Sequence, residues 1–354
     1  MKYLMWFGGI LATSLVGVYI IAFTPFGNSV LKPIVEDKIK QQTKLDSRLT
    51  TFSLSISDFS IVLEVDKNNI IYVNGSYSLF WQAFNIIYRV EMDRLENLHT
   101  LINTPIQGVF HTEGSAKGDF SFIEVDGRSD FASSDINYVA ILKDFTLFSV
   151  QAKIKNLKLA KVLYMLKQPH YGDGVFSMDM DISDARSGKL NGSVVTSIKN
   201  GLLDSKSMTK AYGFKTQMPR TTFKMNTNTT FEGNIVDSKI DLDSNLANFD
   251  IKRARVNLKN VSLVSDYRVK IPNLDRLYFA TEQHMRGAVT VDGEFKKAKD
   301  LDLSIYSKVA GGKIKATLHN DEFHADIVDV QTLNALHMLI YPKIFKSSLN
   351  AKLN

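Results

Sequence analysis

From about Thr50 almost to its C-terminus, the chain alternates apolar and polar residues with a period of two. Serines separate Phe52, Leu54 and Ile56, and Phe59, Ile61, Leu63 and Val65 continue the pattern. It returns at Phe176, Met178, Met180 and Ile182, at Thr221, Phe223 and Met225, and at Ala254, Val256 and Leu258. Leu301, Leu303 and Ile305, then Phe323, Ala325 and Ile327, close the series. Successive side chains of a strand point to opposite faces, so the pattern specifies strands with one apolar and one wetted face, as antiparallel sheets have. No Gly-rich strand-to-helix turn and no regular βαβ spacing occurs, which excludes most doubly wound folds. Asn68-Asn69 and Asn74-Gly75 are expected as turns, Asn-Gly between alternating runs being a strong hairpin signal.

Helical spacing interrupts the alternation in five short stretches, near 93–103, 157–167, 203–213, 273–283 and 331–341. Two of them match closely. Leu163-Tyr-Met-Leu166 precedes Pro169 and Leu336-His-Met-Leu339 precedes Pro342, both landmarks displaced by 173 residues. Leu98 and Leu101 before Pro105 form a looser copy, and Leu274 and Leu277 another without the proline. Gly108, Gly174 and Gly287 then open apolar strands. We read these as an internal repeat, one short helix plus several meandering strands, of the kind that stacks into an array.

The N-terminus carries a different signal. Residues 4–23 form a charge-free run including Leu4, Trp6, Phe7, Ile10, Leu15, Tyr19 and Phe23. As a helix it spans about 30 Å, the thickness of the bilayer hydrocarbon. A cleaved signal peptide has a shorter apolar region and a small-residue cleavage site; this run is longer and ends on Tyr19-Ile-Ile-Ala-Phe23. With Lys2 before the run and no charge from Thr24 to Val30, the N-terminus is expected in the cytoplasm and the remainder across the membrane. Thr24-Pro-Phe-Gly27 breaks the run. Val30, Leu31, Ile34, Val35 and Ile39 then recur at helical spacing, an amphipathic helix suited to the bilayer surface, to plugging one end of the body or to packing on the first strands. The expected organisation is an anchor over 1–23, a linker and amphipathic helix over 24–48, and a strand-rich body over 49–354.

The remaining composition narrows function by exclusion. There is no cysteine, which excludes disulfides and thiolate metal sites. A net charge of +6 with interspersed signs is far from the basic stripe of a nucleic-acid binder. The basic groups Lys153, Lys155, Lys158 and Lys161, and Lys252, Arg253 and Arg255, lack the aromatic interleaving that stacks bases. The densest histidine cluster, His319-Asn-Asp-Glu-Phe-His324, reads as exposed positions on a hairpin. Asp179, Asp181 and Asp184 lack the glycine and terminal glutamate of a calcium loop. No nucleophile-elbow, zincin or Walker run is present. Neither an enzyme, a metal nor a cofactor is expected.

More than a dozen apolar strand faces against five short helices leave much sheet to be closed by sheet, or by something else. The order of features resembles the AsmA-like family of Gram-negative envelope proteins, relatives of the bridge-like β-groove lipid transporters. The residues that carry the resemblance are the anchor, Thr24-Pro-Phe-Gly27 leading into Leu31-Lys-Pro33-Ile34, and the strand run from Phe52. They continue through Ser262 to Val269-Lys-Ile-Pro-Asn-Leu274, Leu301 and Leu303 to Gly311-Gly-Lys-Ile314, and Leu336 to Pro342. Known members are commonly longer. The resemblance implies a mainly β protein, an elongated curled antiparallel groove anchored in the inner membrane with its body in the periplasm. It would bind phospholipid and assist lipid transport or outer-membrane homeostasis. Phe52, Leu54, Ile56, Phe176, Met178, Met180, Phe223, Met225, Leu303 and Ile305 are the expected lipid contacts. Other envelope proteins are possible partners. The competing readings are a scaffold with a closed β core that binds a protein, and an outer-membrane barrel, against which the polar strand faces and the uncleaved anchor weigh.

Overall fold

The computed structural model describes residues 23–98 and 104–354. The anchor residues Leu4, Trp6, Phe7, Ile10, Leu15 and Tyr19 lie outside them, as do 99–103 of the first expected helical stretch. Among the described residues no helix is long and apolar enough to cross a membrane. The chain divides into two compact units, residues 1–149 with 164–167, and residues 150–163 with 168–354.

The first unit opens with helix α1 (Pro25–Thr43). Thr24 caps it by accepting from the Gly27 amide at 3.3 Å, and Pro25 occupies the first turn, where no amide is needed. Strands β1 (Ser47–Leu54), β2 (Asp58–Val65), β3 (Asn69–Ser78), β4 (Ala83–Met92), β5 (Phe110–Asp119), β6 (Phe122–Ser129) and β7 (Asp135–Lys143) follow. From β1 to β7 each pairs antiparallel with the next. β1 is an edge strand, and α1 covers its free side with polar side chains. Asn28 brackets Leu54, donating to its carbonyl at 3.0 Å and accepting from its amide at 3.1 Å. The Leu49 amide donates to Glu36 at 3.0 Å, and Lys32 reaches the Thr50 carbonyl at 3.4 Å. An edge that would template another strand is thereby occupied. Leu31, Val35 and Ile39 are half-buried, whereas Val30 and Ile34 of the same expected apolar face are exposed. Helix α1 therefore packs on the first strands with only part of that face.

Asn68 turns the chain between β2 and β3 with φ 68°. Asn74-Gly75, expected as a turn, instead lies inside β3, paired with Ile87 and Ile86 of β4. The alternation runs through it to a turn at Leu79–Gln82. Gly75 is required there by close approach: a Cβ would run into the Asn85 carbonyl oxygen and stand 3.0 Å from the Phe59 ring. At the other end of β3 the fully buried Asn69 accepts from the Arg94 amide at 2.9 Å and donates to its carbonyl at 3.0 Å.

Strand β8 (Thr146–Lys158) enters the second unit at Val150. Beyond it lie α2 (Leu159–Met165), β9 (Gly172–Asp184), β10 (Leu190–Leu203), α3 (Ser205–Tyr212), β11 (Thr221–Gly233), β12 (Ile235–Ser244), β13 (Asn248–Asn257) and β14 (Ser262–Ile271). A short 3₁₀ turn and α4 (Tyr278–Thr281), β15 (Val289–Lys297), β16 (Leu301–Val309), β17 (Gly312–His319), β18 (Glu322–Gln331), α5 (Thr332–Met338) and β19 (Ser348–Leu353) complete it. From β8 to β19 each strand again pairs antiparallel with the next. Every helix of this unit connects an even-numbered strand to the following odd one, so all sit along one edge of the sheet. There Phe214 meets Phe279 edge-on at 4.8 Å, and Lys215 pairs with Glu282 at 2.7 Å.

The helices fall inside the stretches expected for them, and the repeat is visible in backbone bonds. The Leu95 amide donates to the Gly108 carbonyl and the Leu274 amide to that of Gly287, each at 3.0 Å. Gln107 donates to Met165 at 2.8 Å, as Arg286 does to Met338 at 2.7 Å. Gly108 and Gly287 hold φ 99° and 96°, left-handed conformations that favour glycine.

Candidate functional site

Register decides which side chains share a face, because directly opposed residues point the same way. In the second unit one such row runs Leu157, Phe176, Ile198, Met225, Leu242, Phe249, Val269 and Val291. It continues through Ser307, Ile314 and Ile327 to Ala351. At about 4.8 Å per strand this apolar row is roughly 50 Å long. A parallel row contains Met180, Val194, Thr229, Ser238, Ala254, Ser265, Phe295, Leu303, Leu318 and Phe323. Hydroxyls on this face are paired with one another or with backbone. Thr196 meets Thr227 at 2.7 Å and Thr229 meets Ser238 at 2.8 Å.

The opposite face is ionic. Asp250, Arg268 and Asp292 stand in register, as do Lys315, Asp326 and Lys352 farther along the same row. Arg268 contacts Asp292 at 2.6 Å, Arg255 contacts Asp237 at 2.6 Å, and Lys153 contacts Asp179 at 3.0 Å. Arg255 and Arg253 hold the Asp237 carboxyl down at about 2. These exposed pairs contribute little stability individually; they fix which face meets water.

In the first unit the same division holds. Leu49, Leu63, Ile71, Val90, Thr112, Ser129 and Ile136 form one row. Phe52, Ile61, Val73, Tyr88, Gly114, Gly127 and Tyr138 form the next, and Leu54 and Phe59 belong to a third.

Strand β11 shows what covers these faces. Its apolar-side residues Phe223, Met225, Thr227, Thr229 and Phe231 are all half-buried, while the residues between them are exposed. Neighbouring side chains on the face shield each other, and among the described residues the helices of the second unit sit at its strand ends. Fully covered apolar positions such as Leu49 are sparse. Such a face suits an apolar chain: each methylene withdrawn from water there gains about 0.8 kcal/mol.

Of the expected contacts, Phe52 and Leu54 lie on the apolar face of the first unit. Phe176, Met178, Met180, Phe223, Met225, Leu303 and Ile305 lie on that of the second. Ile56 does not: β1 ends at Leu54, and Ile56 stands exposed in the following turn. The sequence reading missed the aromatic rings that lie across glycines on the same faces. Tyr267 covers Gly293, whose Cβ would stand 2.5 Å from the ring, and Phe223 covers Gly201 at 2.7 Å. Glycines inside otherwise alternating strands were the available signal. Of the candidate cluster at 319–324, His319 bonds Asp302 at 2.6 Å, while His324 faces Asp326 at 3.5 Å. Among the described residues no three His, Cys, Asp or Glu side chains could hold a metal. No family model, curated protein or solved structure matches the chain.

Proposed function

We propose that the chain is a membrane-anchored carrier that holds phospholipid acyl chains on the apolar face of its sheet, headgroups remaining in water. Residues 4–23 would be its inner-membrane anchor, and its strand-rich body would lie in the periplasm as an elongated curled groove of the AsmA-like kind. It would act in lipid transport or outer-membrane homeostasis by binding, without chemistry of its own. One observation carries this reading: from Phe176 to Ala351 the register row is apolar except at Ser307, its apolar side chains are only half-buried, and the described helices of this unit sit at the strand ends. A face of that extent is rarely left to water.

Lys224 and Met225 give the test, being adjacent in β11 and on opposite faces. A benzophenone amino acid replaces each in turn in the full chain, and cells are irradiated before lysis. Phospholipid adducts are expected from position 225 and not from position 224. Protein adducts alone at 225 would favour the scaffold reading, and equal lipid labelling at both positions would refute the groove.

A further inference from the structure

The hairpin tips of the first unit carry large apolar side chains that its sheet does not need. Phe80 is 85% exposed, Trp81 75% and Phe145 64%, with Leu79 and Phe120 close behind. Register places them together. Leu54 opposes Phe59, Ser78 opposes Ala83, Gly118 opposes Ile123 and Phe122 opposes Lys143, so all these turns fall on one edge of the sheet. The rings touch across hairpins: Phe84 and Phe120 are 6.5 Å apart between centroids, Phe120 and Phe145 6.2 Å. The tips form one aromatic edge rather than isolated exposed residues.

Helix α1 begins at the same edge. Asn28 is bonded to Leu54, the last residue of β1, and α1 then runs back along that strand to Glu36 at Leu49. The first turns of α1 add Phe26, 70% exposed, and exposed Val30. Immediately before them in sequence lies the charge-free run of residues 4–23. Asp58, Asp119, Asp144 and Lys143 are the charged residues at or beside these tips, so no basic patch draws the edge to anionic lipid. Tryptophan and phenylalanine at tips without a basic surround fit the amphipathic interface of a bilayer, where aromatic rings sit at headgroup depth.

We infer that this edge (Leu79, Phe80, Trp81, Phe120 and Phe145, with Phe26 of α1) is inserted into the headgroup region of the bilayer that holds residues 4–23. It orients the first unit with its strands running away from the membrane and the opposite strand ends distal. The inference rests on the anchor part of the proposed function and is independent of whether the apolar face carries lipid.

The chain has two tryptophans, Trp6 and Trp81, so Trp6→Phe leaves a single reporter at the edge. The full-length variant is reconstituted into phosphatidylcholine vesicles with ordinary or brominated acyl chains. Brominated lipid is expected to at least halve Trp81 emission, with the maximum shifted to shorter wavelength. In a second variant Trp6→Phe and Trp81→Phe are combined with Ile87→Trp. Ile87 is exposed on the polar face, between Asn74 and Ser115 in mid-sheet, and a tryptophan there should remain unquenched. A shift in Trp81 emission without bromine quenching would mean a protein covers the edge, and equal quenching of both reporters would mean the unit lies flat; either overturns the inference. Failure of the full chain to float with vesicles would overturn the anchor and this inference together. An unquenched Trp81 in a vesicle-bound chain would overturn this inference alone.

Discussion

The phenol oxygens of Tyr88 and Tyr138 lie 2.7 Å apart, meeting above a pair of glycines, Gly114 and Gly127, that separate them in the register row. Tyr138 also contacts the Thr112 hydroxyl at 2.8 Å, and Tyr88 donates to the Asp126 carbonyl at 3.2 Å. One glycine on each of the two intervening strands gives the rings room to lie down. The two tyrosines thus span four strands, and their polar ends satisfy one another on an otherwise apolar surface.

A Cβ on either glycine would stand 2.6 Å from the Tyr88 oxygen. Gly114→Ala and Gly127→Ala should each destabilise the first unit by about 1–3 kcal/mol, the usual cost of overpacking. Thermal unfolding followed by circular dichroism would register this as a midpoint lower by several degrees. A variant melting with the parent would show that the rings are not seated on the glycines.

Burial, and secondarily the bond to Tyr138, push the Tyr88 phenol above its ordinary value of 10. The folded state therefore holds this proton more tightly than the unfolded state. Its contribution to stability is complete below pH 10 and is lost as pH rises beyond it, where only the unfolded chain ionises. Tyr88→Phe should flatten the alkaline decline in stability while costing about 1 kcal/mol near neutrality. Denaturation series from pH 8 to 11 would check both effects, and parallel declines for the two proteins would count against them.

Glu36 behaves in the opposite sense. The Leu49 amide, more than any other partner, holds its carboxyl below the ordinary 4.5. Its share of the docking of α1 on β1 is present above pH 4.5 and is lost as pH falls through the lower folded value. Asn28→Ala removes the other clasp at neutral pH. Hydrogen exchange at Leu49 and Leu54 should accelerate in acid for the parent and at pH 7 for Asn28→Ala. Unchanged protection in both cases would detach α1 from any role in guarding the edge.

Leu49 and Met225 separate a covered position from an uncovered one. Leu49 is fully buried, its amide bonded to Glu36 of α1, and Leu49→Ala should cost about 2–5 kcal/mol. Met225→Asn, on the half-exposed row, should cost well under that and instead weaken lipid capture by its neighbours Ile198 and Leu242. Comparable losses of stability at the two sites would indicate a closed core over Met225.

Much of the secondary structure was legible in local pattern. Period-two runs located β9 and β11, helical spacing located α2 to α5, and the doubled leucine–proline landmarks marked the relation between Met165 and Met338. Asn74-Gly75 misled, because the dipeptide favours a turn locally while the Asn85 carbonyl and the Phe59 ring on the flanking strands leave no room for a side chain. Ile56 misled because alternation continues through a turn that the β1–β2 register places two residues earlier. The tyrosine pair was invisible: Tyr88 and Tyr138 are 50 residues apart, and nothing near either one indicates the other.

Alternation by itself determined that each strand would have an apolar side and a wet one, since side-chain direction in a strand is fixed by position alone. Only the tertiary structure decided what lies over the apolar side and what gathers at the strand ends. Those outcomes depend on register between strands and on where the helices are tied. Register aligned Phe176, Met225 and Val291 into one face, drew Trp81, Phe120 and Phe145 to one edge, and left the helices of the second unit at strand ends. These are long-range relations, set by pairing energies between segments far apart in sequence, and no window of the chain contains them.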